Sequence, residues 1–107
     1  MGAIVTRFEK EKAKPSGNLL FMDMCPSAFQ EGTVFHGVLL EPNAVLEPEY
    51  NPVVKTFIIF EGSCEAEVNG ETFTLSRGDI LWLPKGSTHV IRNFDQALYF
   101  VVVKKDA

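Results

Sequence analysis

Any catalytic or metal-binding site in this chain must come from a short list, because its 107 residues include only two histidines and two cysteines. His89 stands out. It lies in residues 78–93, where Gly78-Asp79 suits a turn, residues 80–83 form an apolar run, and Pro84 and Gly86 break that run before the chain returns. An imidazole at the start of a returning strand can move a proton or bind a metal ion near neutral pH, although a lone histidine in an apolar stretch is more often structural. His36 sits in a second apolar stretch, residues 33–40, and would join the first only if its side chain faced the interior. Cys25 and Cys64 lack the CxxC spacing of a redox or zinc motif and read as free thiols of a reducing compartment. Cys64 follows a turn with no histidine near it in sequence, which argues against a nucleophile. Arg77-Gly78-Asp79 is turn chemistry rather than an adhesion signal.

Gly78, Pro84, Gly86, His89 and Asn93 match the pattern G-x5-P-x-G-x2-H-x3-N at every fixed position. That pattern is the second signature of the cupin superfamily, and the chain resembles a small single-domain cupin. The resemblance implies an all-β, cupin-type antiparallel β-barrel (a double-stranded β-helix or jelly roll) with His89 pointing into it. The family's first signature, G-x5-H-x-H-x3-4-E-x6-G, supplies two histidines and a glutamate that join the later histidine around a metal. Here only its closing glycine, Gly62, is kept. Counting back from it places Lys55 at the glutamate, Asn51 and Glu49 at the histidines, and Asn43 at the opening glycine. The two motifs together span residues 43–93.

This register leaves a rebuilt site. A divalent ion generally wants three or more protein ligands, and the register offers His89 and Glu49, with Asn51 a poor ligand and Lys55 a cation. No tightly bound cofactor is therefore expected; the His89–Glu49 pair would hold Zn, Ni, Mn or Fe only weakly. Lys55 faces inward or snorkels to solvent, both routes being open at a strand start. If inward, it needs a counter-charge, and Glu49 belongs to the same cluster. Either group could then act as acid or base, Lys55 with a lowered pKa if desolvated. Glu49, Lys55 and His89 are thus the candidate catalytic residues. Asn51, Trp82 and Phe57 join them as candidate ligand contacts, the two aromatic residues lining or packing the barrel.

The elements that would position these residues read as about nine short strands with turn signals between them and no helical periodicity. The strands fall at residues 4–8, 18–24, 33–40, 44–47, 53–60, 64–68, 71–75, 80–83, 88–91 and 98–103, the fourth pairing only briefly. Residues 9–17 and 48–52 read as loops, and Lys104-Lys105-Asp106 as a fraying end. Asn69-Gly70 is a type I′ hairpin signal. Residues 55–60, 80–83 and 98–103 are apolar on both faces, so the outer face needs a cover from the opposite sheet or a second chain. A homodimer is expected, as the resemblance also implies.

Length and composition fit one domain over residues 1–107 with a sizeable core, since 46% of residues are hydrophobic and nine are Phe. A net charge of −4 leaves no basic surface for nucleic acid. No apolar run approaches the roughly 18 residues of a membrane span, and residues 1–14 lack the apolar centre of a signal peptide. The expected setting is the cytoplasm. Three functions remain: a binding module for a small polar metabolite held inside the barrel without a tightly bound metal, an isomerase, epimerase or lyase working by acid–base chemistry at the same residues, and a metal-dependent isomerase or dioxygenase with non-standard ligands. The first is favoured, since the first signature has lost its ligands.

Overall fold

The computed structural model describes residues 2–105. Ten strands build the molecule: β1 (Lys14–Ser16), β2 (Leu19–Asp23), β3 (Thr33–Leu40), β4 (Val45–Tyr50), β5 (Lys55–Glu61), β6 (Ser63–Val68), β7 (Glu71–Ser76), β8 (Ile80–Leu83), β9 (Thr88–Asn93) and β10 (Leu98–Lys105). Two single 3-10 turns, Lys10–Lys12 and Ser27–Phe29, complete the regular structure. The strands form a six-stranded sheet in the order β1-β2-β3-β10-β5-β8 and a four-stranded sheet in the order β4-β9-β6-β7, with every pairing antiparallel. This is the jelly-roll form of a cupin-type barrel. Among the described residues no helix is long and apolar enough to cross a membrane.

The alternation of side chains decides what fills the space between the sheets. Val38 and Leu40 of β3, Phe57 and Ile59 of β5, Leu81 and Leu83 of β8, Leu98 and Phe100 of β10, and Cys64, Ala66 and Ile91 of the smaller sheet are buried there. Burial of this kind contributes roughly 25 cal/mol per Å² of apolar surface and holds the sheets together. The outer faces differ from each other. The smaller sheet carries Glu65, Glu67 and Arg92 outward, with the guanidinium 3.4 Å and 3.3 Å from the two carboxylates.

Turn chemistry accounts for the register. Val68 pairs with Glu71 across Asn69-Gly70, and both turn residues have positive φ (49° and 83°), as a type I′ hairpin requires. Asn43, at the register of the lost glycine, sits at φ 62°, a left-handed conformation that asparagine tolerates better than most residues. Asn93, the last residue of the second motif, donates from Nδ2 to the carbonyls of Glu41 (2.9 Å) and Gln96 (2.8 Å), so it pins the β3–β4 turn from below.

Four expectations need correction. Residues 4–8 form no strand; Phe8 instead packs on the outer face of the six-stranded sheet, its ring 5.1 Å from that of Tyr99. Residues 9–17 are not all loop, since Lys14–Ser16 pairs with Leu19–Phe21 at the sheet edge. The brief pairing at residues 44–47 is a six-residue strand that runs through Pro48 with an irregularity between Leu46 and Glu49. Lys104 and Lys105 belong to β10 rather than to a frayed end, while Asp106 lies outside the described residues.

Candidate functional site

Three strands and one loop bring the candidate residues together at one end of the space between the sheets. Antiparallel pairing of β4 with β9 sets Glu49 directly opposite His89. After Tyr50 the chain turns through residues 51–54 and enters β5 at Lys55. Because Phe57 and Ile59 are buried on the inner face of β5, period-two alternation sends Lys55 inward too, and it is only 6% exposed. The orientation left open by the sequence is therefore inward. Its Nζ donates to Glu49 Oε1, forming an ion pair whose lysine side chain is 8% exposed and whose glutamate is 57% exposed. The pair runs from the interior to the mouth of the cavity.

Asn51 is fully buried and joins the two motifs. Its N–H donates to Ser87 O (2.8 Å), and its carbonyl accepts from Gly86 N–H (2.7 Å), which clamps the turn between β8 and β9. Its Nδ2 lies 3.1 Å from Ser87 Oγ and 2.9 Å from His89 Nδ1. The direction of these bonds follows from the serine. Ser87 Oγ donates its hydrogen to Pro84 O (2.7 Å), so it can only accept from Asn51. The amide nitrogen thus faces both neighbours and donates one hydrogen to each. His89 Nδ1 accepts, and the ring hydrogen resides on Nε2. Asn51 Oδ1 is left buried without a partner.

The surroundings set the charge states. Burial lowers the pKa of His89 below 6.5 and the Lys55 ammonium lowers it further, against an opposing pull from Glu49. Burial resists ionisation of Glu49, but the hydrogen bond from Lys55 and the charges of Lys55 and Lys104, joined by His89 once it is protonated at acid pH, outweigh it and hold the carboxyl below its usual 4.5. At neutral pH the site therefore holds a neutral imidazole beside a carboxylate–ammonium pair. Phe57 packs edge-on against His89, with ring centroids 5.2 Å apart and planes at 89°.

These groups border a cavity of about 420 Å³ whose apolar wall includes Leu19, Phe21, Val38, Leu46, Phe57, Phe100 and Val102. His36 lines it as well, so the second imidazole does reach the interior. Lys104 lines it too, although the charged run at residues 104–106 reads in the sequence as a fraying end. The signal was available in the pairing of β10, where Lys104 lies opposite Lys55 and two residues beyond the inward Val102.

The fold takes two candidate ligand contacts off the cavity wall: Asn51, fully buried behind His89 with its amide nitrogen committed to Ser87 and His89, and Trp82. Leu81 and Leu83 take the inner face of β8, which turns Trp82 outward, where it is 68% exposed and away from the cavity. Cys64 is fully buried, and burial pushes its thiol up to about 11, so it packs as an inert group.

The donor set does not suit a divalent ion. Among the described residues no three His, Cys, Asp or Glu side chains converge. The Glu49 carboxylate is engaged by an ammonium that would repel an approaching cation, and Asn51 presents its nitrogen rather than its oxygen to His89.

Comparison with known proteins matches this arrangement of strands. The family model described as "Cupin domain" matches residues 37–104. No curated protein matches the sequence. Among solved structures, a Cupin 2 conserved barrel domain protein from Salinispora arenicola superposes with a TM-score of 0.86 at 18% identity, covering 100% of this chain and 92% of its own. A predicted oxalate decarboxylase from Thermotoga maritima gives 0.81 at 18% identity, with 97% and 100% coverage. The polyketide cyclase RemF from Streptomyces resistomycificus gives 0.79 at 16% identity, with 97% and 81% coverage.

Proposed function

This chain belongs to the cupin domain family, and from that premise we propose that it binds a small polar metabolite inside the barrel, against His89, Lys55 and Glu49, with Asn51 holding His89 from behind and without a tightly held metal. The observation that carries this reading is the buried Lys55 ammonium, paired with Glu49 at the mouth and beside a polarised, neutral His89, in a cavity of about 420 Å³. A buried ammonium is a poor way to stabilise a small domain, since desolvation offsets most of the attraction to its partner. Its place in a concave, mostly apolar cavity fits a site kept for a ligand. Fold likeness does not choose the chemistry, because one barrel hosts many activities. Two free thiols suit work in the reducing cytoplasm.

A second reading draws on the same geometry. A neutral imidazole with its hydrogen on Nε2, next to a carboxylate and an ammonium, can give and take protons, which is what an isomerase, epimerase or lyase needs. His89 and Lys55 would then be the donors, and Glu49 the base or the group that holds Lys55 in place.

The metal-free part is tested by elemental analysis of protein purified without added metal and dialysed against chelator. Expected contents of Fe, Mn, Ni and Zn are far below one per chain. The reading fails if wild-type protein retains close to one metal per chain and His89→Ala abolishes it.

A further inference from the structure

The polar groups inside the cavity are unevenly divided between donors and acceptors. Lys55 and Lys104 are Cα partners across β5 and β10, on the face that also carries Phe57, Phe100 and Val102 inward, so two ammonium groups stand side by side on the cavity wall. Glu49 makes its ion pair with Lys55 and attracts Lys104 at longer range; among the described residues no carboxylate makes an ion pair with Lys104. Glu47 also borders the cavity and, like Glu49, is exposed at its rim. His36 and His89 are neutral at pH 7, because burial lowers both below 6.5. Lys55 is buried and Lys104 half-buried, whereas Glu47, Glu49 and Asp23 are all exposed, so the two ammonium groups reach deeper than the neighbouring carboxylates. The remaining hydrogens of the interior, on His89 Nε2, Lys55 and Lys104, all ask for an acceptor.

From this donor-rich interior we infer that the cavity takes a small carboxylic acid with an apolar body, its carboxylate bound by Lys104 and Lys55, a further oxygen accepting from His89 Nε2–H, and its body against Phe57, Phe100 and Val102. One carboxylate gives these hydrogens an acceptor in a setting where charge-assisted hydrogen bonds are strong. The cavity volume of 420 Å³ equals about fourteen water-sized groups at about 30 Å³ each, enough for a ring with a short acidic side chain. An amine would meet two like charges. A sugar would leave the aromatic and aliphatic wall without a matching surface. This inference rests on the reading of the cavity as a ligand site and adds the class of ligand and the role of Lys104.

The test compares 3-phenylpropionate with its neutral amide and with 3-phenylpropylammonium, by titration followed through the ring signals of His89 and Phe57 in NMR spectra. The carboxylate should bind about tenfold or more tightly than the amide, as expected for one charge-assisted hydrogen bond, and the ammonium should bind least. Lys104→Met should erase the preference for carboxylate over amide, and Lys104→Arg should restore it. Lys105→Met, at the exposed neighbouring position, should leave it unchanged. If amide and carboxylate bind equally while the His89 signals respond, the inference on ligand class is wrong and the cavity reading stands. If the Lys104→Met protein keeps the preference, the role of Lys104 is wrong. If none of the three probes moves the His89 signals, both the inference and the cavity reading fall.

Discussion

His89 is held as a neutral ring by burial, which includes the edge contact with Phe57, by the Lys55 ammonium and by the Asn51 amide donating to Nδ1, against the opposing pull of the Glu49 carboxylate. Its folded-state pKa lies below its ordinary 6.5, so in the window between the two the unfolded chain binds the proton and the folded chain does not. Stability therefore falls as pH drops below 6.5, by linkage. His36 acts in the same direction, since burial and Lys104 lower its pKa against the pull of Asp23. Glu49 acts in a separate and more acidic window, because its depressed pKa lies below 4.5 and its contribution is lost only as pH falls through that lower value. Melting temperatures of wild type and His89→Gln, measured from neutral pH down to about pH 5 where His titration dominates, should show a shallower acid decline in the variant, with the His36 share remaining. Parallel declines would show that His89 does not carry the proton difference. Most of this site was legible only as register. Lys55 could be counted into place, but its direction could not, because both faces of β5 are apolar and alternation alone does not say which face is inside.

Gly62 shows how much one turn between elements can demand. It joins β5 to β6 at φ 88°, and a Cβ there would lie 2.6 Å from the Ala97 carbonyl oxygen and 3.3 Å from Leu98 Cα. Gly70 has a similar φ of 83° but open space around it. Both alanine variants bear the left-handed strain of about 1–2 kcal/mol, and Gly62→Ala adds a clash with backbone that cannot swing away. Chemical denaturation should show Gly62→Ala destabilised well beyond Gly70→Ala; equal losses would mean the β5–β6 turn relaxes freely. The turns were the most readable part of the sequence for this reason, since glycine and Asn-Gly mark conformations that other residues resist. Two of the misread elements share a cause. β1 contains Pro15 and β4 contains Pro48, and proline reads as a break because it cannot donate to a ladder. Both strands lie at sheet edges, where a missing donor can face solvent. The edge position is a property of the assembled sheets, which no local pattern contains.

The outer faces of the two sheets predict how the molecule associates. On the smaller sheet Glu65, Glu67 and Arg92 face water, the alternation expected of a sheet solvated on one side. On the larger sheet the outward rows run Phe35–Val103–Thr56–Trp82 and Gly37–Val101–Ile58–Ile80 across β3, β10, β5 and β8. Phe8 covers part of this surface: a Cβ on Gly37 would lie 2.7 Å from its ring. The cover stops short of β8, leaving Trp82 at 68%, Ile80 at 48% and Phe60 at 45% exposure. Trp82 thus moves from candidate ligand contact to candidate interface residue. An aromatic residue in a flat apolar patch is typical of the few positions that carry most of an interface's energy. A second copy presenting the same patch about a two-fold axis would cover it without leaving an open edge for further growth. Light scattering at micromolar concentration should accordingly give about twice the 11.9 kDa chain mass. Trp82→Glu with Ile80→Glu should shift it to a single chain with the β-sheet circular dichroism intact, because both side chains point away from the core. A wild-type mass of one chain would rule out the dimer and leave the exposed rows of β5 and β8 without a cover.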